Sequence, residues 1–355
     1  MGGPPERLRV PRRLERLERD EPPLDVSARG RASIDTVHGL AHGHLGRHRR
    51  TLHVRSARPV PRTANYPWAV PLFLLSEPSE PLVAPVIVAA FDGWIDGAGA
   101  STAAAAHMAS GGDILATFDQ DALYDYRSRR PVLDIVDGTL TELTWPELTV
   151  AKNRFGNRDV LVFSGPEPDF RWRELGQDLV EIAKRLGVVE WVSIGSIPAA
   201  VPHTRPVPIL ATASRSGLLH HEETQGPDGL LRVPAAALST LELAVAATGL
   251  PAVGFFAQVP HYVGGPFAAA TIALLEYVGR HLGVEIPLGA LPDDAMAQRQ
   301  RLDAAVGADQ DSRAYVARLE VAQADEQLPS GDDLATEIER FLRNQPGDGQ
   351  PGPFN

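Results

Sequence analysis

The amino-acid sequence predicts an α/β fold built on a mostly parallel sheet. Apolar runs, among them "APVIVAAF" at 84–91 and "DVLVFSG" at 159–165, are typical of parallel strands covered on both faces. Segments with helical patterns alternate with these runs, and such alternation places helices on both faces of a parallel sheet. With 355 residues, of which 43% are apolar, the chain is long enough to bury a sizeable core.

The first half of the chain combines a buried strand with an antiparallel region. The strand at 84–91 is followed by "STAAAAHM", which predicts a helix because alanine has the highest helix propensity and two glycines follow it. Two further strands, "RRPVLDIV" and "TLTELTW", flank Asp137-Gly138, a dipeptide typical of a two-residue hairpin. Another antiparallel strand is predicted at 147–155, directly before the buried strand at 159–165.

The second half of the chain continues the alternation of strands and helices. Buried strands are predicted at 189–197 and 252–259, and helices at 233–248 and 267–283. The segment "RWRELGQDLVEIAKRLG" is predicted to be an amphipathic helix that ends at its final glycine. Four apolar side chains share the buried face of this helix: Leu175, Leu179, Ile182 and Leu186.

Composition divides the chain into four parts. Residues 1–65 form a basic extension rich in Arg, His and Pro, which we predict to be disordered. Residues 66–290 hold the predicted α/β domain. Residues 291–344 are predicted to form two or three helices of an acidic tail that packs on the body or on a neighbouring subunit. Residues 345–355 are predicted to be disordered.

Charge and composition exclude several classes of protein. Residues 1–62 carry a balance of +7, whereas the remainder carries −18, and so acidic a body argues against nucleic acid as a ligand. No apolar run is long enough for a membrane span, and the first 30 residues lack the apolar centre of a secretory signal. The absence of cysteine excludes disulfides and zinc–thiolate sites. We therefore expect a cytoplasmic protein.

Polar side chains follow each of the four predicted parallel strands. In such sheets ligands bind beyond the carboxyl ends of the strands, so these side chains form a candidate acid–base or anion pocket. Short polar residues also serve as caps and turn residues, and a structural role for the same side chains stays open. The candidate pocket residues are Asp92, Trp94, Asp96, Glu167, His203, Arg205 and His261.

The chain lacks the sequence motifs that identify a nucleotide-binding site, a serine nucleophile or a metal site. The glycines in 97–102 start six residues past the strand and end in Thr, unlike a dinucleotide-binding turn. No phosphate-loop lysine is present, and Ser164 lacks the flanking glycine spacing of a nucleophile elbow. The histidines of the first 65 residues have no acidic or thiolate companions at regular spacing. We predict no cofactor and no metal ion, and we assign no catalytic residue.

Five stretches in the same order resemble the proteasome-assembly-chaperone (PAC2) family, and most of all its actinobacterial members. The stretches are "PVIVAAFDGWIDGAGASTAAA", "LYDYRSRRPVLDIVDG", "SGPEPDFRWRE", "PHTRPVPILATAS" and "QVPHYVGGPFAAATIALL". The resemblance runs from roughly Phe73 to Leu291 and continues into the acidic tail. One departure lies in "GWIDGA", where the family more often has Asn or Asp followed by Ala-Gly.

The resemblance implies a three-layer α/β/α fold, similar to the nucleoside phosphorylase and hydrolase group, with a C-terminal helical segment used in subunit contacts. It also implies a homo-oligomer, with a trimer favoured. We predict a non-enzymatic protein that acts in complex assembly with a protein partner such as a proteasome component. Two alternatives use the strand-end pocket: a hydrolase- or phosphorylase-like enzyme, with Arg205 binding an anion, and a small-molecule sensor.

Overall fold

A computed structural model describes residues 71–220, 226 and 231–326. Three predicted segments lie outside these residues: the basic extension (1–65), the last helix of the tail and the disordered end at 345–355. Within the described part of the chain, no helix is long and apolar enough to span a membrane.

Strands and helices alternate along the described residues, as the sequence predicts. The strands are β1 (Phe73–Leu75), β2 (Val86–Phe91), β3 (Asp113–Phe118), β4 (Val132–Val136), β5 (Thr139–Thr144), β6 (Thr149–Phe155), β7 (Arg158–Gly165), β8 (Glu190–Ala199), β9 (Ile209–Ala213) and β10 (Ala252–Pro260). The helices are α1 (Ala100–Ala109), α2 (Gln120–Leu123), α3 (Trp172–Leu186), α4 (Ala237–Ala246), α5 (Ala268–Leu282), α6 (Leu291–Gly307) and α7 (Gln310–Glu326). A 3-10 turn, Gly97–Gly99, directly precedes α1.

Eight of the strands form one mixed sheet in the order β1-β3-β6-β7-β2-β8-β10-β9. The four central strands, β7, β2, β8 and β10, are parallel, which confirms the predicted parallel strands. The outer strands pair antiparallel, and β6 among them confirms the antiparallel strand predicted at 147–155. Strands β1, β3 and β9 escape prediction because they are only three to six residues long and have neither a long apolar run nor a clear alternation of polar and apolar residues.

Strand β2 shows why the central strands are apolar throughout. All six of its side chains are buried. Val86, Val88 and Ala90 belong to one hydrophobic cluster. The alternate residues, 87, 89 and 91, belong to a second cluster on the other face. Because side chains alternate between the faces of a sheet, a strand covered on both faces has no position left for a polar side chain.

Helices cover both faces of the sheet. Helices α1 and α5 contribute buried side chains to the first cluster, and α6 and α7 add Leu302, Val306, Tyr315 and Leu319 to it. Helices α3 and α4 cover the second cluster. Leu175, Leu179, Ile182 and Leu186 are buried as predicted, and Gly187 ends α3 with a left-handed φ of 65°. Helices α6 and α7 of the tail therefore share a core with the α/β body in this chain.

Strands β4 and β5 form a separate two-stranded sheet, which we call the hairpin arm (132–144). Asp137 and Gly138 have φ values of 52° and 76°, the left-handed pair that a two-residue type I′ turn requires. The predicted hairpin is thus confirmed. Each residue of β5 is exposed, so the arm stands clear of the core.

Candidate functional site

The seven predicted pocket residues lie along the carboxyl edge of the four parallel strands. They fall into three groups, at the ends of β2 and β7, at the start of α1, and beside the ends of β8 and β10. The first group includes Asp92 and Glu167, the second is centred on Asp96, and the third contains His203 and His261. Trp94 is 63% exposed, and Arg205 is exposed and forms no ion pair within the described part of the chain.

Asp92 and Glu167 hold the loops that follow β2 and β7. The Asp92 carboxylate accepts a 2.8 Å bond from Arg129 through Oδ2 and a 2.9 Å bond from the Glu167 backbone N–H through Oδ1. Glu167 Oε1 in turn accepts a 2.7 Å bond from the Ala237 N–H at the start of α4. A Cβ on Gly93, whose φ is 101°, would lie 2.9 Å from Glu167 Oε2, so this position requires glycine.

The loop that precedes the hairpin arm completes this first group. The Tyr124 hydroxyl donates a 2.8 Å bond to the Pro166 carbonyl, and burial raises the pKa of Tyr124 above its ordinary value. Asp169 Oδ2 accepts a 2.8 Å bond from the Asp125 N–H. Arg129 is a site residue that sequence reasoning did not select. Its one signal is its position in "LYDYRSRR", a stretch of the family resemblance.

Asp96 caps the N-terminus of α1. Its Oδ1 accepts bonds of 2.9 Å and 2.6 Å from the backbone and hydroxyl of Ser101, and its Oδ2 accepts a 2.5 Å bond from the Thr102 hydroxyl. The backbone of Asp96 also bridges to Ser196 on β8. The carboxylate therefore satisfies the open N–H groups of Ser101 and Thr102 in the first turn of α1, and the backbone of the same residue links this turn to the sheet.

His203 links the end of β8 to the C-terminal helices. The Tyr262 hydroxyl accepts a 2.9 Å bond from the His203 backbone N–H and lies 2.8 Å from Nδ1. Because the carboxylate of Asp303 beside Nε2 only accepts, Nε2 carries the ring proton and Nδ1 accepts from the Tyr262 hydroxyl. Nε2–H then donates to Asp303 on α6 over 3.2 Å. Burial, together with nearby Arg299, lowers the pKa of His203, and Asp303 only partly offsets this effect. The neutral imidazole is the favoured form.

His261 makes a second link of the same kind. Its Nδ1 lies 2.9 Å from the Ala199 carbonyl, so it carries the proton, and its Nε2 accepts a 3.1 Å bond from the Tyr315 hydroxyl on α7. Thr204 donates a further bond to Glu320 on α7. The sequence did not predict the acidic partners of His203 and Thr204, which are Asp303 and Glu320. A sequence does not show which side of an amphipathic helix packs against a particular loop.

The polar atoms of the three groups form hydrogen bonds and ion pairs with other residues of the same chain. In the region that the structure describes, no hydrogen bond or ion pair joins the Asp92–Glu167 pair to either histidine. Nor does any group of three or more His, Asp or Glu side chains in these ranges have the arrangement to hold a metal ion. Ligand contact by the seven residues stays a prediction.

An open cavity lies elsewhere, between the N-terminus of α3 and the middle of α4. It has a volume of about 500 Å³ and is lined by Arg171, Trp172, Arg173, Glu174 and Thr240. We call it the α3–α4 groove. None of the seven predicted residues lines it.

The fold and the site define an α/β protein whose strand-end polar residues fasten loops and helices to a mixed sheet. The PAC2 family model matches residues 90–306, which is more than half of the chain. The chain therefore belongs to the PAC2 family, as its sequence motifs predict.

Three solved structures illustrate the relationship. A Corynebacterium glutamicum protein of unknown function is 30% identical, with 72% of this chain and 97% of that chain covered and a TM-score of 0.67. A proteasome-assembly chaperone homologue from Mycobacterium tuberculosis is 36% identical, with 65% and 99% covered and a TM-score of 0.60. A PAC2 family protein from Streptomyces avermitilis is 35% identical, with 65% and 99% covered and a TM-score of 0.60.

These relatives come from actinobacteria, so the predicted likeness to the actinobacterial branch is confirmed. None of the curated proteins matches the chain.

Proposed function

We propose that this protein is a non-enzymatic, oligomeric assembly factor of the proteasome-assembly-chaperone type, which binds a protein partner such as a proteasome component. The observation that carries the proposal is that the strand-end acids and histidines bond to backbone groups and side chains of the chain itself. Membership of the PAC2 family and the relative from Mycobacterium tuberculosis support the chaperone assignment. The oligomer, with a trimer as the expected state, a three-layer body and a cytoplasmic location are parts of the same proposal.

The chemistry of the carboxyl edge favours a non-enzymatic role. A general base lies within hydrogen-bond reach of the proton that it removes. Asp92 already accepts from Arg129 and from a backbone N–H, and Asp96 accepts from two hydroxyls. Both ring nitrogens of His203 and of His261 are also engaged. The arrangement suits a rigid scaffold that presents a surface.

The test mixes the full-length protein with purified actinobacterial proteasome α and β subunits. We expect saturable binding to one subunit type, measured by interferometry, and a changed rate of proteasome assembly on native gels. Serum albumin replaces the protein as a control for crowding. No binding together with an unchanged assembly rate would contradict the proposal.

A second experiment addresses the enzymatic alternative. Nucleosides, amides and peptides are incubated with the protein and phosphate, beside an Asp92→Asn/His203→Ala variant. We expect no turnover by either protein. Turnover that the wild type shows and the variant lacks would establish an enzyme and overturn the non-enzymatic assignment.

A further inference from the structure

The loop that follows β2 presents Trp94 on the surface of the protein. Its backbone forms a tight turn, in which the Asp96 N–H donates a 3.3 Å bond to the Gly93 carbonyl, with Trp94 and Ile95 as the central residues. Gly93 and Trp94 are both exposed. Tryptophan is highly buried on average in folded proteins, and at 63% exposure this one contributes little to the core.

The turn is held in place on both sides. On one side, the Asp92 carboxylate accepts from Arg129 and from a backbone N–H of the loop after β7. On the other side, the Ile95 carbonyl accepts a 2.7 Å bond from the Ser196 N–H on β8. Trp94 is therefore presented by an ordered backbone, so a partner that covers it loses little affinity to the ordering of this loop.

Gly93 lies between an acceptor and a donor that no other described residue uses. Glu167 accepts from the Ala237 N–H through Oε1, and its Oε2 has no partner within the described ranges. Of the Arg129 guanidinium, only Nη1 is bonded there, and the buried Nε has no partner. Oε2 of Glu167 lies 2.9 Å, and Nη2 of Arg129 3.8 Å, from the position that a Cβ of Gly93 would occupy. Because glycine has no side chain, a bound group can approach this backbone closely.

A peptide group is the ligand that fits this pair of side chains. Its C=O accepts from Nη2 of Arg129, and its N–H donates to Oε2 of Glu167. The local charge disfavours an anion, because Arg129 is accompanied by the carboxylates of both Asp92 and Glu167. The exposed position disfavours a small metabolite, since pockets for small molecules bury most of the surface of the ligand.

We propose that an extended segment of a protein partner crosses this turn, with one of its peptide groups between Arg129 and Glu167 and an apolar side chain against Trp94. Gly93, Trp94, Arg129 and Glu167 together are the Trp94 site. Tryptophan and arginine are among the residue types that dominate binding at protein interfaces. This inference rests on the protein partner of the proposed function and names the place where that partner binds.

The first experiment selects ligands for the full-length protein from a phage-displayed library of short random peptides. Synthetic copies of the recovered peptides are then measured by interferometry. We expect their dissociation constants to rise by about tenfold or more in Trp94→Ala, because the aromatic surface of the site is lost. Met296→Ala, at a 58% exposed position on α6, is the matched control and should bind like the wild type.

Two conservative variants test the polar pair. Glu167→Gln keeps an oxygen for the Ala237 N–H and replaces the other oxygen, the acceptor for the ligand, by an NH2 group. Arg129→Lys keeps a cation beside Asp92 and loses Nη2. Each should weaken peptide binding by about tenfold, because each removes a hydrogen bond to a charged group. Glu276→Gln, at an exposed site on α5, should not. Thermal unfolding verifies that each variant is folded.

N-methylation of the bound peptide, one residue at a time, identifies the peptide group that the site holds. Methylation of the N–H that reaches Glu167 should weaken binding to the wild type by about tenfold. It should have no additional effect in Glu167→Gln, because the acceptor is already lost there. A general disturbance of the loop would not produce this dependence of one change on the other.

The outcomes separate the Trp94 site from the proposed function. No recovered peptide, or peptides and proteasome subunits that bind Trp94→Ala and Glu167→Gln as tightly as the wild type, would overturn the site alone. Peptides that need the site, together with a wild type that binds no proteasome subunit, would support the site and contradict the proteasome as the partner. Binding of free acetamide as tightly as the peptides, lost in Glu167→Gln, would overturn the protein segment as the ligand.

Discussion

Asp96 accepts hydrogen bonds from Ser101 and Thr102 through both carboxylate oxygens, and this one residue fixes where α1 begins. An aspartate in a glycine-rich turn has the same appearance in a sequence whether it binds a ligand or caps a helix. Only the position of the helix N–H groups relative to the carboxylate separates the two roles.

Removal of this cap should destabilise the protein. We expect Asp96→Ala to lower the free energy of unfolding by about 1–2 kcal/mol, because the open N–H groups of α1 lose their acceptor. Asp96→Asn, which keeps one acceptor oxygen, should lose less. Urea unfolding followed by circular dichroism measures the effect, with Asp113→Ala as a control at an exposed carboxylate. Equal stabilities of Asp96→Ala and the wild type would contradict the capping role.

Glu242 is an acid on the core-facing side of α4. Its Oε2 accepts a 2.6 Å bond from the Ser193 hydroxyl, which accepts a 2.8 Å bond from the buried Trp191 indole N–H. Burial raises the pKa of Glu242, and the Ser193 bond only partly opposes this effect. The protonated form is thus stabilised by folding. This contribution is complete below the unfolded pKa of about 4.3 and is lost as the pH rises through the folded value.

Glu242→Gln should therefore stabilise the protein at pH 7.5. The amide keeps an acceptor for Ser193 and carries no charge, so we expect the melting temperature to rise by roughly 2 °C. The advantage should shrink as the pH falls towards 4.3. Differential scanning calorimetry at several pH values measures the trend, and Glu276→Gln, at an exposed site on α5, should show none. A variant that melts below the wild type at pH 7.5 would contradict this account.

At the scale of elements, two histidine–tyrosine pairs attach α6 and α7 to the carboxyl edge of the sheet. His203 joins Tyr262 to Asp303, and His261 joins the Ala199 carbonyl to Tyr315. Burial raises the pKa of both tyrosines, which keeps their hydroxyls protonated as donors. The helices are thus held by directional bonds as well as by apolar contacts.

The attachment of α6 and α7 should weaken in mild acid. Because the folded pKa of His203 is depressed, its contribution is complete above the unfolded pKa of about 6.5 and is lost as the pH falls from there through the folded value. Hydrogen exchange is measured at pH 7 and at pH 5.5, and the exchange rates are corrected for their intrinsic pH dependence. The backbone amides of α6 and α7 should be less protected at pH 5.5 than at pH 7, and the amides of β2 and β7 serve as internal references. In His203→Gln this pH step should disappear. A step that persists in the variant would assign the effect to another group.

The hairpin arm is an element whose sequence favours strands although its apolar side chains are exposed. Asp137-Gly138 determines the turn, and alternating Thr and Leu residues favour strands. Nothing in the described chain covers the apolar side chains that result. The turn and the strands of the arm are thus determined locally, and not by burial of their apolar side chains within the described residues.

At the scale of the whole molecule, the tail and the body share one core. Leu302 and Val306 of α6 and Leu319 of α7 belong to the same buried cluster as β2 and α5. The tail helices, although acidic outside, thus cover apolar surface that α5 would otherwise expose. The described residues should unfold as one unit.

The substitution Leu302→Ala tests whether the tail helices and the α/β body unfold together. We expect a loss of about 2–5 kcal/mol in the free energy of unfolding, as for other buried leucines. Far-ultraviolet circular dichroism and the fluorescence of the tryptophans, among them the buried Trp191, should report the same transition. Met296→Ala, at an exposed position on α6, should change little. A helical signal lost well before the tryptophan signal would show that the tail unfolds separately.

The sequence by itself determined the central parallel strands, the amphipathic α3 and the turn of the hairpin arm. These features follow from local pattern: apolar runs, a 3.6-residue period and a dipeptide that tolerates positive φ. The sequence also placed the polar residues at the strand ends. The antiparallel edge strands lay beyond prediction because short half-exposed strands obtain their stability from neighbours distant in sequence.

Only the tertiary structure decided which strand-end residues meet. Asp92 lies 37 positions from Arg129, and His203 lies 100 positions from Asp303. Such pairs depend on how helices and loops pack on the sheet, which no local pattern encodes. Packing also divided the predicted pocket residues into separate groups, because each carboxylate or imidazole bonds to the nearest backbone or helix that the fold supplies. The sequence showed that polar side chains follow the strands at this edge of the sheet. Only the three-dimensional structure shows that these side chains bond to loops and helices of the same chain.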